Sequence, residues 1–132
     1  MYERGTAPRS PADAAAVEDE SASDERTDRT VLCRQCRAAI TSQRHVMEVN
    51  DQHQHTFFNP AGIIFEIGCF ARADGCRVVG TPTTEFSWFA GHAWSYALCG
   101  SCQRHLGWFF QGAIAPSGFF GLVLNKLVVD ES

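Results

Sequence analysis

The sequence predicts an all-β domain with antiparallel strands and little helix. Short runs rich in aromatic and β-branched residues recur along the chain, and each is long enough for a strand but short for a helix. Clusters of Gly, Pro, Asn and Asp separate these runs, which indicates tight turns. The chain shows no rhythm of alternating strands and helices, and parallel strands would need such crossovers.

Seven runs are predicted to be strands, and turn signals such as Asn59–Gly62, Asp74-Gly75, Gly80–Pro82 and Pro116–Gly118 divide them. The segment Gly121–Val129 fits a strand or a short helix, and its periodicity does not decide between them. The predicted strands are His45–Val49, Thr56–Phe58, Ile63–Cys69, Arg77–Gly80, Ser95–Leu98, Leu106–Phe110 and Phe119–Leu122.

The first 30 residues differ in composition from the rest of the chain. They hold eight acidic and four basic residues and a single aromatic, Tyr2, so they cannot bury enough apolar surface to offset their ordering entropy. We expect a disordered acidic tail at 1–30 and a folded domain at 31–132. The folded part carries seven residues of each charge sign, and a neutral domain is poor evidence for nucleic-acid binding.

Two Cys-x-x-Cys pairs, Cys33/Cys36 and Cys99/Cys102, have the spacing of zinc knuckles. The turn within each pair lets both sulfurs face one ion, and four thiolates leave no open position for water. We therefore expect one structural Zn²⁺ that ties the start of the domain to a late part of it. A dithiol redox pair and two disulfides are the alternatives.

Cys69 and Cys76 remain outside this pattern. Buried small hydrophobes are the simplest interpretation, and a reactive thiol pair is the alternative.

The segment Glu85–Trp94 carries two tryptophans and two phenylalanines within ten residues, and Gly91 within it predicts a loop that reverses direction. Trp108 and Phe110 follow, and at i and i+2 on a strand they share a face. Core packing explains any one of these rings. Three tryptophans in a domain this small, two of them on a loop, favour a surface cage for an uncharged ring or a methylated ammonium.

Several stretches, in order and spanning most of the folded part, carry a family resemblance. Residues 31–127 resemble the thalidomide-binding (CULT) domain of cereblon and the small bacterial proteins made of that domain alone. The resemblance implies two antiparallel sheets that meet at an angle (a β-tent), pinned by zinc. The matching stretches are Phe58-Asn59-Pro60-Ala61-Gly62, Gly80-x-Pro82-Thr83-x-Glu85-x-Ser87-Trp88-Phe89-x-Gly91, Ala93-Trp94, Cys99-x-x-Cys102-x-x-His105-Leu106-Gly107-Trp108-x-Phe110 and Phe120-Gly121-Leu122.

The resemblance also implies a non-enzymatic pocket for cyclic imides such as glutarimide and thalidomide, and for uracil in uridine. Trp88, Trp94 and Trp108 would form its walls and Phe110 its floor. The physiological ligand is expected to be such a small ring, or a protein C-terminus that has cyclised to an imide.

Polar recognition in this pocket would come from the backbone. The C=O of Phe86 would accept the imide N–H, and the N–H of Trp88 would donate to an imide carbonyl, with Ser87 nearby. A carbonyl, N–H, carbonyl edge is complementary to these groups, which would otherwise stay unpaired. Contacts to whatever protrudes from the pocket are expected from Asn59, Pro60 and Phe65.

The sequence departs from the family at two loop positions. Phe86 stands where the human protein has His, and His92 stands where the family often has Tyr. We expect binding through the Phe86 backbone to survive. His92 is expected to be an exposed loop residue, with a change at the rim or a pH dependence as the alternative. The chain has no room for a Lon-like domain or a ligase-adaptor surface, so no ubiquitin-ligase role is expected.

Two rival functions remain open. Methionine sulfoxide reductases of the B class share a related sheet and a double Cys-x-x-Cys zinc site but need a nucleophilic cysteine late in the chain. No cysteine follows Cys102, so only Cys69 or Cys76 could serve. A methyl-ammonium reader is the other rival, although Glu85 is the only acid near the aromatic segment.

Location and partners are predicted from composition. No apolar run approaches the roughly 18 residues of a membrane span, and the first residues lack the apolar core of a signal peptide. We expect a soluble, cytoplasmic protein with no membrane or nucleic-acid partner.

Overall fold

The computed structural model describes residues 29–113 and 116–130, and these residues form two antiparallel sheets with almost no helix. Most of the acidic tail expected at 1–30 lies outside the described residues. Two single-turn 3₁₀ helices occur, at Gln43–His45 and Leu124–Lys126. The strands are β1 (Thr30–Cys33), β2 (Ala39–Ser42), β3 (Gln54–Phe58), β4 (Ile64–Phe70), β5 (Cys76–Thr83), β6 (His92–Cys99), β7 (His105–Gly112), β8 (Gly118–Val123) and β9 (Leu127–Val129).

The smaller sheet has three strands in the order β9-β1-β2, and the larger has six in the order β3-β4-β8-β7-β6-β5. Every neighbouring pair is antiparallel. The order places β8 between β4 and β7, so the last strand of the large sheet lies in its middle. The predicted class, with antiparallel strands in two sheets, is confirmed.

The small sheet accounts for most of the differences from the sequence prediction. Strands β1, β2 and β9 have only three or four residues each, too few to show a clear period. They exist because distant segments pair, with Leu127 opposite Cys33. The undecided segment Gly121–Val129 contains the end of β8, a 3₁₀ turn and β9, so both alternatives occur within it.

The strand predicted at His45–Val49 is wrong. A 3₁₀ turn ends at His45, and its N-cap Ser42 accepts a hydrogen bond from the backbone N–H of Arg44 through its side chain. Only isolated bridges follow, at Val46 and Val49. The core contacts of this segment are made by Val49 and Met47 and therefore come from a loop and not from a strand, while Val46 is 41% exposed.

Gly75 joins the two sheets. Its N–H donates to the C=O of Ile40 in β2 (2.9 Å), and its C=O accepts from the N–H of Gly100 after β6 (2.8 Å). A Cβ at this position would fall on the Ala39 carbonyl and lie 2.6 Å from the Cα of Ile40. The close approach of the sheets therefore requires glycine here.

Two apolar clusters form the core. The first lies between the sheets and contains Val31, Ile40, Phe70, Leu106 and Leu127 among others. The second joins strands of the large sheet to the loop residues Val49 and Phe89, and it supports the aromatic segment. Its other members include Ile67, Cys69, Trp108, Phe110 and Phe119.

In the part of the chain that the structure describes, no helix has the length and apolar character needed to cross a bilayer.

Candidate functional site

The loop between β5 and β6, residues 84–91, carries part of the aromatic cage. Phe89 anchors this loop in the second core cluster, where it is 3% exposed and meets the ring of Phe110 edge-on at 4.9 Å between centroids. Gly91 has φ 81°, which reverses the chain into β6 and confirms the predicted loop. The neighbour Trp88 is thereby held in place at the surface.

The three tryptophans are fixed by their own indole nitrogens or by ring contacts. Nε1 of Trp88 donates to the C=O of Phe58 (3.0 Å), and Nε1 of Trp94 donates to the C=O of Glu85 (2.8 Å). Trp108 lies on β7, mostly buried, with its ring edge-on to Trp88 at 4.8 Å. With both of those indole N–H groups occupied, apolar ring surface is left to line a pocket.

The tryptophans border a cavity of about 410 Å³. Trp108 and Phe110 share one face of β7, as predicted from their i and i+2 spacing, and both line it. Eight of the nine predicted binding residues contribute, and two further residues were not predicted. The lining residues are Asn59, Pro60, Phe65, Phe86, Trp88, Trp94, Tyr96, His105, Trp108 and Phe110.

Ser87 is the predicted binding residue that does not line the cavity. Its hydroxyl donates to the C=O of Phe89 (3.1 Å), and its N–H donates to the C=O of Thr84 (3.2 Å). In this structure Ser87 stabilises the loop.

His92 is not an exposed loop residue, so that prediction is wrong. It begins β6 and is 4% exposed, with Nδ1 at 3.0 Å from the Ala90 carbonyl oxygen and Nε2 at 2.7 Å from that of Pro116. It does not line the cavity either. The position was misjudged because neighbours in sequence do not show that two loops close over a side chain.

Tyr96 and His105 line the cavity and were missed by sequence reasoning. Tyr96 is two residues after Trp94 on β6, so the same strand alternation that paired Trp108 with Phe110 could have found it. His105 had no such signal, because a register shift between β6 and β7 places it opposite Leu98.

Phe86 has an unusual backbone for an aromatic residue, with φ 59°. In the described part of the chain, its C=O and the N–H of Trp88 have no hydrogen-bond partner. The two unpaired groups belong to residues that both line the cavity. An acceptor and a donor two residues apart are thus available to a ligand with complementary groups.

The two Cys-x-x-Cys pairs meet in a second site. The sulfurs of Cys33, Cys36, Cys99 and Cys102 all lie within 4.8 Å of one another. The Cys33–Cys102 and Cys36–Cys99 sulfur distances are 3.8 and 3.6 Å. A tetrahedral ion with metal–sulfur bonds of about 2.3 Å would need sulfurs about 3.8 Å apart, so the cluster fits a metal site with four thiolate ligands.

Electrostatics at this cluster favour a cation. A hydrogen bond to the backbone of Ala38 and those to neighbouring cysteines outweigh burial and lower the pKa of Cys36 to about 7. For Cys102, the backbone bond to Arg104 acts downward, but burial and the other thiols prevail and raise the pKa to about 11. Once one thiol has ionised, its negative charge makes the next thiol harder to ionise. A bound dication would neutralise this repulsion between thiolates.

The two remaining cysteines lie within the core clusters. Cys69 is fully buried, and burial raises its pKa to about 12. Cys76 packs against the first core cluster beside Cys99, its register partner, and burial likewise raises its pKa to about 12. Neither thiol is poised as a nucleophile.

Comparison with known proteins gives one consistent result. Proteins named cereblon are similar to this chain: that of Danio rerio is 31% identical over 104 residues (75% of this chain, 24% of the relative), and that of Drosophila virilis is 34% identical over 106 residues (76% and 17%). Cereblon of Gallus gallus is 32% identical over 104 residues (75% and 23%). The chain spans about a quarter or less of the length of these relatives. No family model matches it.

Proposed function

Since this chain carries a cereblon-like domain, we propose that it is a non-enzymatic binding module whose aromatic cage takes up uncharged cyclic imides. The ligands we propose are glutarimide, thalidomide-type compounds, the uracil ring of uridine, and protein C-termini that have cyclised to imides. Trp88, Trp94 and Trp108 would enclose the ring, with Phe110 beneath it.

The pair of unpaired backbone groups at the cavity carries the proposal. The Phe86 C=O can accept only, and the Trp88 N–H can donate only. An imide offers an N–H next to a carbonyl and so satisfies both groups at once. A bound imide would remove the cost of leaving these groups unsatisfied in an apolar setting.

The charge of the lining favours a neutral ligand. None of the ten lining residues is acidic or a Lys or Arg, whereas a cage for methylated ammonium gains from a nearby carboxylate. The backbone carbonyl of Glu85 is occupied by Trp94, and its side chain does not line the cavity. A neutral imide therefore fits better than a methyl-ammonium group.

Thiol chemistry has no support from Cys69 and Cys76, the two cysteines outside the four-cysteine cluster. A methionine sulfoxide reductase needs a thiolate nucleophile, and burial raises the pKa of both Cys69 and Cys76 to about 12. We therefore propose no enzyme activity.

The metal in the four-cysteine cluster is proposed to be one Zn²⁺. Four thiolates at tetrahedral spacing suit zinc and leave no place for a substrate or water. We propose that the ion is structural and that residues 31–132 fold as one unit around it, behind an acidic extension at 1–30. None of the described cysteines forms a disulfide, which suits a reducing compartment, so we propose the cytoplasm.

The test is a glutarimide titration followed by tryptophan fluorescence. We expect a saturable change with the wild-type chain. Trp94→Ala should weaken binding by about 1–4 kcal/mol, as for a buried aromatic anchor. Phe58→Ala is the matched control, because Phe58 is 60% exposed, does not line the cavity, and holds Trp88 through its backbone carbonyl, which alanine keeps. No saturable signal at millimolar glutarimide would contradict the proposal.

A further inference from the structure

Residues 31–132 are neutral as a whole, but their charges are unevenly placed. Five of their seven basic residues lie beside the four-cysteine cluster. Two occur within the first Cys-x-x-Cys pair or directly after it, one follows Cys102 by two positions, and one follows Cys76, the register partner of Cys99. The backbone carbonyl of the fifth accepts a hydrogen bond from the first pair (2.9 Å). We call these residues the basic face: Arg34, Arg37, Arg77, Arg104 and Lys126.

Neutral groups hold the cations of the basic face in place. Nε of Arg34 donates to the backbone carbonyl of Asn125 (3.0 Å). Arg104 donates to the side-chain oxygen of Gln35 (3.1 Å), which connects the segments of the two cysteine pairs. Among the described residues, no carboxylate forms an ion pair with any member of the face. Its charge is therefore held in position and is not neutralised by this part of the chain.

The positive charge exceeds the negative charge nearby. Four thiolates and the proposed Zn²⁺ together carry two negative charges, so the five cations leave an excess of about three. Asp74 lies next to the sheet junction but is paired with Arg72 (2.7 Å). Nζ of Lys126 donates to the His105 carbonyl (2.9 Å), and burial together with the charge of Arg104 lowers its pKa. An anion on the face would relieve this repulsion between cations.

The chain itself supplies an anion. Residues 13–25 contain six acidic residues and no basic one. They lie 5 to 17 positions before Thr30, the first residue of β1, and a flexible tether of that length spans about 12–23 Å on average. Arg34 follows the other end of β1, about 13 Å away at the rise of an extended strand. A tether whose span matches this distance raises the local concentration of the acidic segment at the face.

A separate polyanion is a poorer partner for the face. The chain carries a net charge of −4, which opposes the approach of a nucleic acid from solution. A segment of the same chain does not depend on such an encounter.

We propose that the acidic residues 13–25 dock on the basic face of the same chain and neutralise its excess charge. The docked segment then excludes other anions from the metal-binding end of the domain. This contact is electrostatic, so it weakens as salt screens it.

Carbodiimide cross-linking of the zinc-loaded full chain tests the contact. The reagent joins a carboxylate to an amine without a spacer, and Lys126 is the single lysine of the chain. Mass spectrometry should find Lys126 joined to an acidic residue in 13–25, with a yield several-fold lower in about 1 M salt, where the Debye length is about 3 Å. Lys126→Arg keeps the charge and should lose this product.

Two variants distinguish docking from random collision. Arg77→Lys and Gln54→Lys each add one exposed amine, on β5 and β3, the opposite edges of the large sheet. The amine of Arg77→Lys should couple to residues 13–25, and that of Gln54→Lys should not. Thermal melting and zinc content check that each variant is folded and loaded.

Several results would overturn the proposal. One is the absence of any product between Lys126 and residues 13–25, and another is a yield that salt does not change. Equal coupling of the added amines in the two lysine variants would show an undirected tail. A mixture of isotopically labelled and unlabelled chains should give products within one chain. Products found only between labelled and unlabelled chains would assign the face to the tail of a second copy.

Discussion

Single residues decide how the pocket presents its polar groups. Phe86 lines the cavity, has its backbone at φ 59°, and is 68% exposed. A positive φ costs a non-glycine residue energy, and such strain collects at functional sites. The positive φ occurs at the residue whose backbone carbonyl has no hydrogen-bond partner. Because Phe86 is mostly exposed, its side chain adds little to the core.

Substitutions at Phe86 distinguish the contribution of its backbone to ligand binding from that of its side chain. Phe86→Gly should retain glutarimide affinity within a few fold, because glycine adopts positive φ readily. Phe86→Val should weaken binding more, because a β-branched residue is poorly tolerated there. Titration of both variants checks this, with circular dichroism as the folding control. Stronger loss in the glycine variant would show that the ring itself binds.

His53 is expected to make the stability of the fold depend on pH. Its Nδ1 donates to the Met47 carbonyl (3.2 Å), its ring meets Phe70 at 5.4 Å, and burial lowers its pKa below the usual value. The unfolded chain therefore binds the proton more tightly. Stability is fully present above about pH 6.5 and falls as the pH drops toward the lowered folded value.

Urea unfolding at about pH 7.5 and about pH 5.5, on either side of the ordinary imidazole pKa, measures this effect. We expect a lower midpoint at the acidic pH, and a smaller drop in His53→Asn, which keeps a donor but does not titrate. The half-buried imidazole of His105, whose pKa is also lowered, contributes a residual drop of the same sign. An equal drop in wild type and variant would rule out His53 as a source.

At the scale of elements, the junction of the two sheets depends on one close approach. Gly75 hydrogen-bonds to Ile40 on one side and to Gly100 on the other. Because backbone atoms occupy the space of a Cβ, no rotamer change relieves the clash. The second Cys-x-x-Cys pair begins at Cys99, next to this junction, so its geometry is coupled to the contact between the sheets.

Gly75→Ala should therefore destabilise the fold by about 1–3 kcal/mol, as overpacking does. Gly118→Ala is the matched control, because its Cβ would meet only the movable Phe109 ring, at 3.2 Å. Chemical denaturation with metal present compares the two. A Gly75→Ala variant as stable as the control would contradict the required close approach.

At the scale of the molecule, the four-cysteine cluster and the cage share two strands. Cys99 ends β6, which also carries Trp94, and Cys102 precedes β7, which carries Trp108. Cys33 ends β1 in the other sheet. A metal bound here would join both sheets and fix the ends of the strands that carry Trp94 and Trp108.

Metal removal should therefore abolish glutarimide binding although the ion does not contact the ligand. We expect about one zinc per chain by elemental analysis, as four thiolate ligands imply. After chelation, glutarimide should no longer change the tryptophan fluorescence. A Cys99→Ser variant should behave like the chelated protein. Readdition of zinc should restore binding to wild type only. If the metal-free protein bound glutarimide as tightly as the wild type with metal, the cavity would not depend on the four-cysteine cluster.

The sequence by itself determined the antiparallel β class, the four cysteines that form the cluster and eight of the ten cavity residues. These depend on local signals: alternation along a strand, turn residues, a two-residue gap between cysteines, and an aromatic loop with a family resemblance. Such signals can be read from the sequence because each involves only a few neighbouring residues.

Only the tertiary structure decided the small sheet, the burial of His92, and the presence of Tyr96 and His105 in the pocket wall. Strands of three or four residues form because a distant partner stabilises them. His92 is buried because the segment at Pro116 closes over it. His105 faces Leu98 through a register shift. Each depends on contacts between residues far apart in the chain, which no local pattern records.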